Sequence, residues 1–240
     1  MDEQTQRIRD RLDDVRRRIG EAAHRSGRSP EDVRLVVVTK GHPVETIRRA
    51  IEAGAELLGE NYVEEALPKI EALAWLKPVW HMIGHVQSRK AQLVAANFAF
   101  VHSVDRVKLA RKLAEAFQGS NPLSVLLQVN ISGESGKSGA PGWDERDWPA
   151  IFELVGQIRR FSKIRLCGLM TIPPDLPGEQ ARPYFRRLIQ LRDAICSQSP
   201  GFSLNELSMG MSGDFEAAVE EGATMVRVGT AILGQRPLKE

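Results

Sequence analysis

Short runs of β-branched and apolar residues recur along the 240-residue chain, each followed by a longer stretch in which apolar positions return every three or four residues. The runs that predict strands are 34–40 (RLVVVTK), 56–61 (ELLGEN), 79–84 (VWHMIG), 100–104 (FVHSV), 123–130 (LSVLLQVN), 166–172 (LCGLMTI), 206–210 (ELSMG) and 225–233 (MVRVGTAIL). Their apolar residues run on without strict alternation, which is the pattern of parallel strands covered on both faces. The segments between them read as helices. Pro43 suits the first turn of one that carries Val44, Ile47 and Ile51 and stops near Gly54. Asp105 is placed to cap a second, with Leu109, Leu113 and Phe117 inward. Residues 144–161 and 181–196 supply two more, and Ile8, Leu12, Val15 and Ile19 form a stripe on a long N-terminal helix. That helix is expected to cover the sheet where the last strand lacks a full helical partner.

Eight strand–helix units with right-handed crossovers predict an α/β fold, a single (β/α)8 TIM barrel over residues 1–240 with an extra N-terminal helix. A doubly wound open sheet is the alternative, because strand count alone does not establish closure. No linker rich in Pro, Gly or Ser divides the chain; 132–142 (SGESGKSGAPG) reads as a strand-to-helix loop.

Composition narrows the function classes. Thirty-three basic and 31 acidic side chains leave a formal charge of +2, too little to imply nucleic acid or an anionic membrane as partner. No apolar stretch approaches a membrane span, and the N-terminus (MDEQTQRIRD) is too charged for a secretory signal, so a cytoplasmic location is expected. Cys167 and Cys196 lie in segments of different type and read as free thiols.

In a parallel barrel the chemistry gathers at the carboxyl ends of the strands. Lys40 follows an apolar run there; a lysine whose stem lies against an apolar rim is partly desolvated, which favours the neutral amine that forms a Schiff base. The plain alternative is a strand-end lysine reaching water. Ser208–Asp214 (SMGMSGD) runs from the seventh strand toward a helix, and Val226–Thr230 adds Gly229 and Thr230 after the eighth. Small residues at these two strand ends suit a phosphate, against the alternative of turns that satisfy their own backbone. Arg227 lies on the same strand face as Gly229, placed to meet a ring nitrogen or to form an ion pair inside the barrel. His81 and His85 share i, i+4 spacing, but on a strand and turn rather than a helix, so no metal is expected. The GxSxG, GxxxxGK[ST] and GxGxxG signatures are missing.

The ordered blocks VVVTKGHP (36–43), GENYVEE (59–65), WHMIGHVQSRK (80–90), HSVD (102–105), VNISGESGKSG (129–139), GLMTIPP (168–174) and SMGMSGDFEAAVEEGATMVRVGTAILGQR (208–236) carry a family resemblance over nearly the whole chain. The sequence resembles the YggS-type pyridoxal phosphate homeostasis proteins, called PROSC in animals. The resemblance implies a barrel like the alanine racemase N-terminal domain, with pyridoxal 5′-phosphate (PLP) as cofactor on Lys40. It also implies Asn61 near the ring, Arg227 facing the pyridine nitrogen, and Ser208, Ser212, Gly229 and Thr230 around the phosphate. Lys137 matches a family lysine implicated in cofactor transfer. Gly41-His42 stands where Thr-Lys is frequent, Arg89 where Asn is, and Gly213 where an acidic residue is, which alters the charge pattern at the mouth.

The function implied is that of a PLP carrier or buffer without catalytic turnover, acting as a monomer, with the apo forms of PLP-dependent enzymes as recipients. The alternative is an alanine-racemase-like amino-acid racemase. Two-base racemisation needs a second acid/base group, a tyrosine from another subunit's β-domain in alanine racemase. No such domain is expected here, and Tyr62 and Tyr184 both fall in predicted helices or at their starts.

Overall fold

Each apolar run becomes a strand of one closed sheet. In the computed structural model, which describes residues 2–134, 136–176, 178–199 and 201–236, the strands are β1 (Arg34–Val38), β2 (Leu57–Glu60), β3 (Val79–Met82), β4 (Phe100–Val104), β5 (Leu123–Asn130), β6 (Ile164–Met170), β7 (Glu206–Ser208) and β8 (Met225–Val228). All pair in parallel, in the order β4-β3-β2-β1-β8-β7-β6-β5, and β4 also pairs with β5. That last pairing closes the barrel and removes the open-sheet alternative. A two-residue strand, Ala140–Pro141, lies beside the end of β5.

The helices are α1 (Glu3–Arg25), α2 (Val44–Glu52), α3 (Val63–Leu73), α4 (Ala91–Asn97), α5 (Val107–Ala116), α6 (Trp148–Ile158), α7 (Gly178–Ser197), α8 (Phe215–Glu220) and α9 (Thr230–Leu233). Their apolar stripes face the barrel wall: Ile47 on α2, Leu109 and Leu113 on α5, Val155 and Ile158 on α6, and Phe185 and Leu188 on α7 are buried. Each such side chain contributes roughly 1.5–3 kcal/mol by leaving water. Inside the barrel a smaller cluster of Phe100, Leu126, Met170 and Met225 fills the floor.

The N-terminal helix takes the place expected of it. Asp2 caps α1 by accepting from the Thr5 amide at 2.7 Å, and Ile8, Leu12, Val15 and Ile19 are buried where α1 packs against α2, α8 and α9. Because α9 is only four residues long, it leaves the seam between β8 and β1 for α1 to cover.

Two local expectations are corrected. The run 225–233 is not one strand: it ends at Val228, and the Gly229 carbonyl accepts from the Ile232 and Leu233 amides at 2.9 Å to open α9. Past the barrel rim no neighbour continues the ladder, so local helical bonds take over. Asp105 does not cap α5, whose first turn has no side-chain cap; it pairs instead with Arg106 and, at 3.5 Å, with His85.

Candidate functional site

The carboxyl ends of β1, β2, β7 and β8 enclose a cavity of about 710 Å³. Lys40, Asn61, Ser212, Arg227, Gly229 and Thr230 all line it. Strand β1 stops at Val38, so Lys40 stands in the turn beyond, which closes through the His42 amide bonding to the Thr39 carbonyl at 3.1 Å. Its side chain is half-buried. Burial pushes the amine below the usual lysine range, and the cations Arg236 and Arg227 push the same way against Glu60 and Glu65. More of it is therefore neutral, and nucleophilic, at a given pH.

Two close backbone approaches shape this rim. A side chain at Gly84 would come within 2.2 Å of the Asn61 carbonyl oxygen, so only glycine lets the loop after β3 press against Asn61. The Asn61 Oδ1 is buried and has no hydrogen-bond partner among the described residues. A side chain at Gly229 would meet the Val38 carbonyl oxygen at 3.1 Å, so the turn after β8 lies directly against the strand that leads to Lys40. On that side Ser212 Oγ accepts from the Ala231 amide at 3.5 Å, at the start of α9. Gly213 adds a rim position with open space where a side chain would stand. Small side chains and helix-start amides of this kind suit an anion.

Arg227 forms part of the cavity floor and is 4% exposed. Its Nη1 donates to Ser208 Oγ at 2.6 Å and its Nη2 to the Thr171 carbonyl at 2.8 Å. No carboxylate touches it among the described residues, so the ion-pair reading does not hold, and burial pushes the guanidinium down to about 10. Ser208 is fully buried and does not line the cavity; it stands one layer below, under Arg227. Its Oγ also lies 2.9 Å from His102 Nδ1, and His102 Nε2 lies 2.9 Å from His81 Nδ1. Burial pushes the His81 imidazole down to about 4 and that of His102 well below its usual value, so both are neutral near pH 7.

His81 thus partners His102 rather than His85, and among the described residues no group of three or more metal-type ligands forms. The partnership was readable in principle. Both histidines sit at the third position of their apolar runs, VWHM and FVHSV, on neighbouring strands. Other lining residues carried weaker signals: Arg236 lies beyond the last strand, while Asp175, Glu134 and Lys137 lie on loops, with Lys137 paired to Glu134 at 3.0 Å.

A closed parallel barrel with a half-buried lysine, an anion-suited rim and a buried arginine on one cavity matches a known class. Residues 11–237 fit the family described as alanine racemase, N-terminal domain. The chain belongs to this family, and to the branch of it formed by the pyridoxal phosphate homeostasis proteins. One relative of that name, from Pseudomonas aeruginosa, is 45% identical over 231 residues, 95% of this chain and 96% of its own. PipY of Synechococcus elongatus, solved with PLP bound, is 33% identical with a TM-score of 0.78, covering 95% of this chain and all of its own. Alanine racemase from Corynebacterium glutamicum shares the fold at a TM-score of 0.68, with 14% identity over 98% of this chain and 62% of its own. Among the described residues no helix is long and apolar enough to cross a membrane.

Proposed function

We propose that this protein binds PLP in the cavity at Lys40 and serves as a carrier or buffer of the cofactor, releasing it to apo forms of PLP-dependent enzymes. The observation that carries the reading is a lysine of lowered pKa facing a buried, carboxylate-free arginine across one cavity. The residues present fit the group. When bound, the cofactor supplies an aldehyde that a neutral lysine amine holds as a Schiff base. The orphaned Asn61 Oδ1 is an acceptor for a ring hydroxyl, and Ser212, Gly229 and Thr230 offer the anion side. Arg227 keeps a positive charge below pH 10, so it disfavours a proton on the ring nitrogen; Ser208 serves the site by holding that guanidinium.

The carrier reading is favoured over racemisation by where the tyrosines lie. Tyr62 is 62% exposed at the start of α3, and the Tyr184 ring packs on Trp143 at 5.3 Å; neither lines the cavity. The names of the relatives and the PLP-bound PipY support the same reading. We take a monomer as the working unit.

Absorption spectroscopy tests the assignment. Wild type mixed with PLP should show the lysine-linked visible band, and Lys40→Ala should lose it; a band that survives the substitution overturns the role of Lys40. Incubation with amino acids in deuterated water should give no catalytic exchange of the α-hydrogen, and sustained turnover overturns the carrier reading. Transfer to an apoenzyme, compared between wild type and Lys137→Ala, tests the part assigned to that loop lysine.

A further inference from the structure

Lys69, on α3, is a lysine with 7% side-chain exposure that touches neither solvent freely nor the cavity. An ammonium has three donors, and here all three are used. The Nζ donates to the Thr39 carbonyl at 3.1 Å, to Glu60 Oε1 at 2.7 Å and to Glu65 Oε1 at 2.6 Å. Each acceptor leads to a different part of the site. Thr39 precedes Lys40, and its hydroxyl also donates to Glu60 Oε1 at 2.7 Å. Glu60 is fully buried and precedes Asn61. Glu65 Oε1 accepts the amide of Gly41, the residue after Lys40, at 2.5 Å. The backbone on both sides of Lys40 and the end of the strand that presents Asn61 therefore converge on one ammonium.

We propose that Lys69 is a positioning residue for the cofactor site: with Glu60 and Glu65 it fixes the turn that carries Lys40 and sets the amine's place relative to Asn61. The proposal rests on the reading that Lys40 holds PLP. A buried charged triad is a poor device for stability alone, since apolar side chains of similar volume often serve as well. What the triad adds is direction. The Lys40 turn is closed by the His42 amide on the Thr39 carbonyl and tied to β2 by the Thr39 amide on the Gly59 carbonyl, and the triad adds an anchor on each side of Lys40. A reacting group displaced by about 1 Å loses on the order of a hundredfold in reactivity.

The test titrates PLP against wild type, Lys69→Met, Glu65→Ala and Glu65→Gln, and records visible circular dichroism per bound cofactor. That signal reports how firmly the ring is oriented, which a loss of overall stability does not move while the protein stays folded. Lys69→Met strands two carboxylates and can fail to fold; Glu65 is partly exposed, so its variants keep the question open, with thermal unfolding as the check. Glu65→Ala should bind PLP about tenfold more weakly and lose about half of the dichroism per bound cofactor, from the loss of charge-assisted bonds to Gly41 and Lys69. Glu65→Gln keeps an oxygen for both donors and should stay within about threefold of wild type. Wild-type affinity and dichroism in Glu65→Ala overturn the proposal, and so does a Gln variant as impaired as the Ala variant. Failure of wild type itself to form the lysine-linked band sinks the PLP reading instead, so the two failures are separable.

Discussion

Lys69 behind the Lys40 turn and Arg227 on the cavity floor are both almost wholly buried cations, 5% and 4% exposed, yet their surroundings are opposite. Lys69 contacts two carboxylates and a carbonyl. Arg227 contacts a hydroxyl and a carbonyl, and Asp214 acts on it only from a distance. The first charge is answered within the protein and braces a turn. The second is left unanswered, above a relay of neutral side chains, and the cavity over it keeps a demand for electron-rich ligand atoms. Burial alone does not distinguish a structural cation from a ligand-facing one; the chemistry of the acceptors does.

The sharpest way to break this comparison is to remove each charge in turn. Lys69→Met strands Glu60 and Glu65 together, one of them fully buried, and should cost about 3–5 kcal/mol in urea unfolding. Adding Glu60→Gln should recover part of that loss. A cost below about 1 kcal/mol for Lys69→Met means that Glu60 already carries a proton, a state toward which its burial pushes it.

The next effect lies under Arg227. An unfolded histidine titrates near 6.5, while folded His81 is held down to about 4, so between those values the unfolded state binds more protons. The contribution of His81 is therefore complete above about pH 6.5 and falls as pH drops toward 4, by roughly 3 kcal/mol in all. His102 shifts in the same direction and adds to the loss. His81→Phe keeps an aromatic ring to stack on Phe100, as the imidazole does at 5.3 Å, and should flatten much of this acid branch. Urea unfolding at pH 7, 5.5 and 4.5 compares the two slopes; equal slopes refute the assignment.

Arg227→Met should be milder than Lys69→Met, since it orphans only a hydroxyl and a carbonyl. A loss of about 1–2 kcal/mol is expected, together with weaker PLP binding. A loss matching that of Lys69→Met would show that Asp214 answers the arginine at close range after all.

The sequence carried the barrel because its strands are continuous apolar runs, and 100–104 and 123–130 match the observed strands at both ends. It blurred where an apolar run outlasts its ladder, as at Thr230–Leu233, because those residues suit a strand or a helix and only the barrel rim decides. Six of the seven expected cofactor residues meet on one cavity, since strand ends converge in any closed barrel. Ser208 does not, because its strand's last residue points inward under Arg227 rather than into the turn. Lys69 was illegible for a plainer reason. Glu65 and Lys69 are spaced i, i+4 on a helix, which in sequence is the signature of a solvent-facing pair. Only the packing of α3 against the rim turns that pair inward.

A second lysine–glutamate pair at the cavity supplies the mildest prediction and the cleanest control. Lys137 and Glu134 are 3.0 Å apart, but their side chains are 31% and 51% exposed on a loop, against 7% and 29% for Lys69 and Glu65. Water and salt screen such a pair, and holding two long side chains together costs entropy that offsets the attraction. Glu134→Gln should therefore change stability by less than about 0.5 kcal/mol, and raising the salt concentration should erase even that. The same substitution at Glu65 removes a charge from beside a buried ammonium, where screening is weak. If unfolding of Glu134→Gln proves as costly and as salt-insensitive as that of Glu65→Gln, then burial is not what separates the two pairs. In that event the loop holds Lys137 as firmly as α3 holds Lys69, and Lys137 is not free to move with departing cofactor.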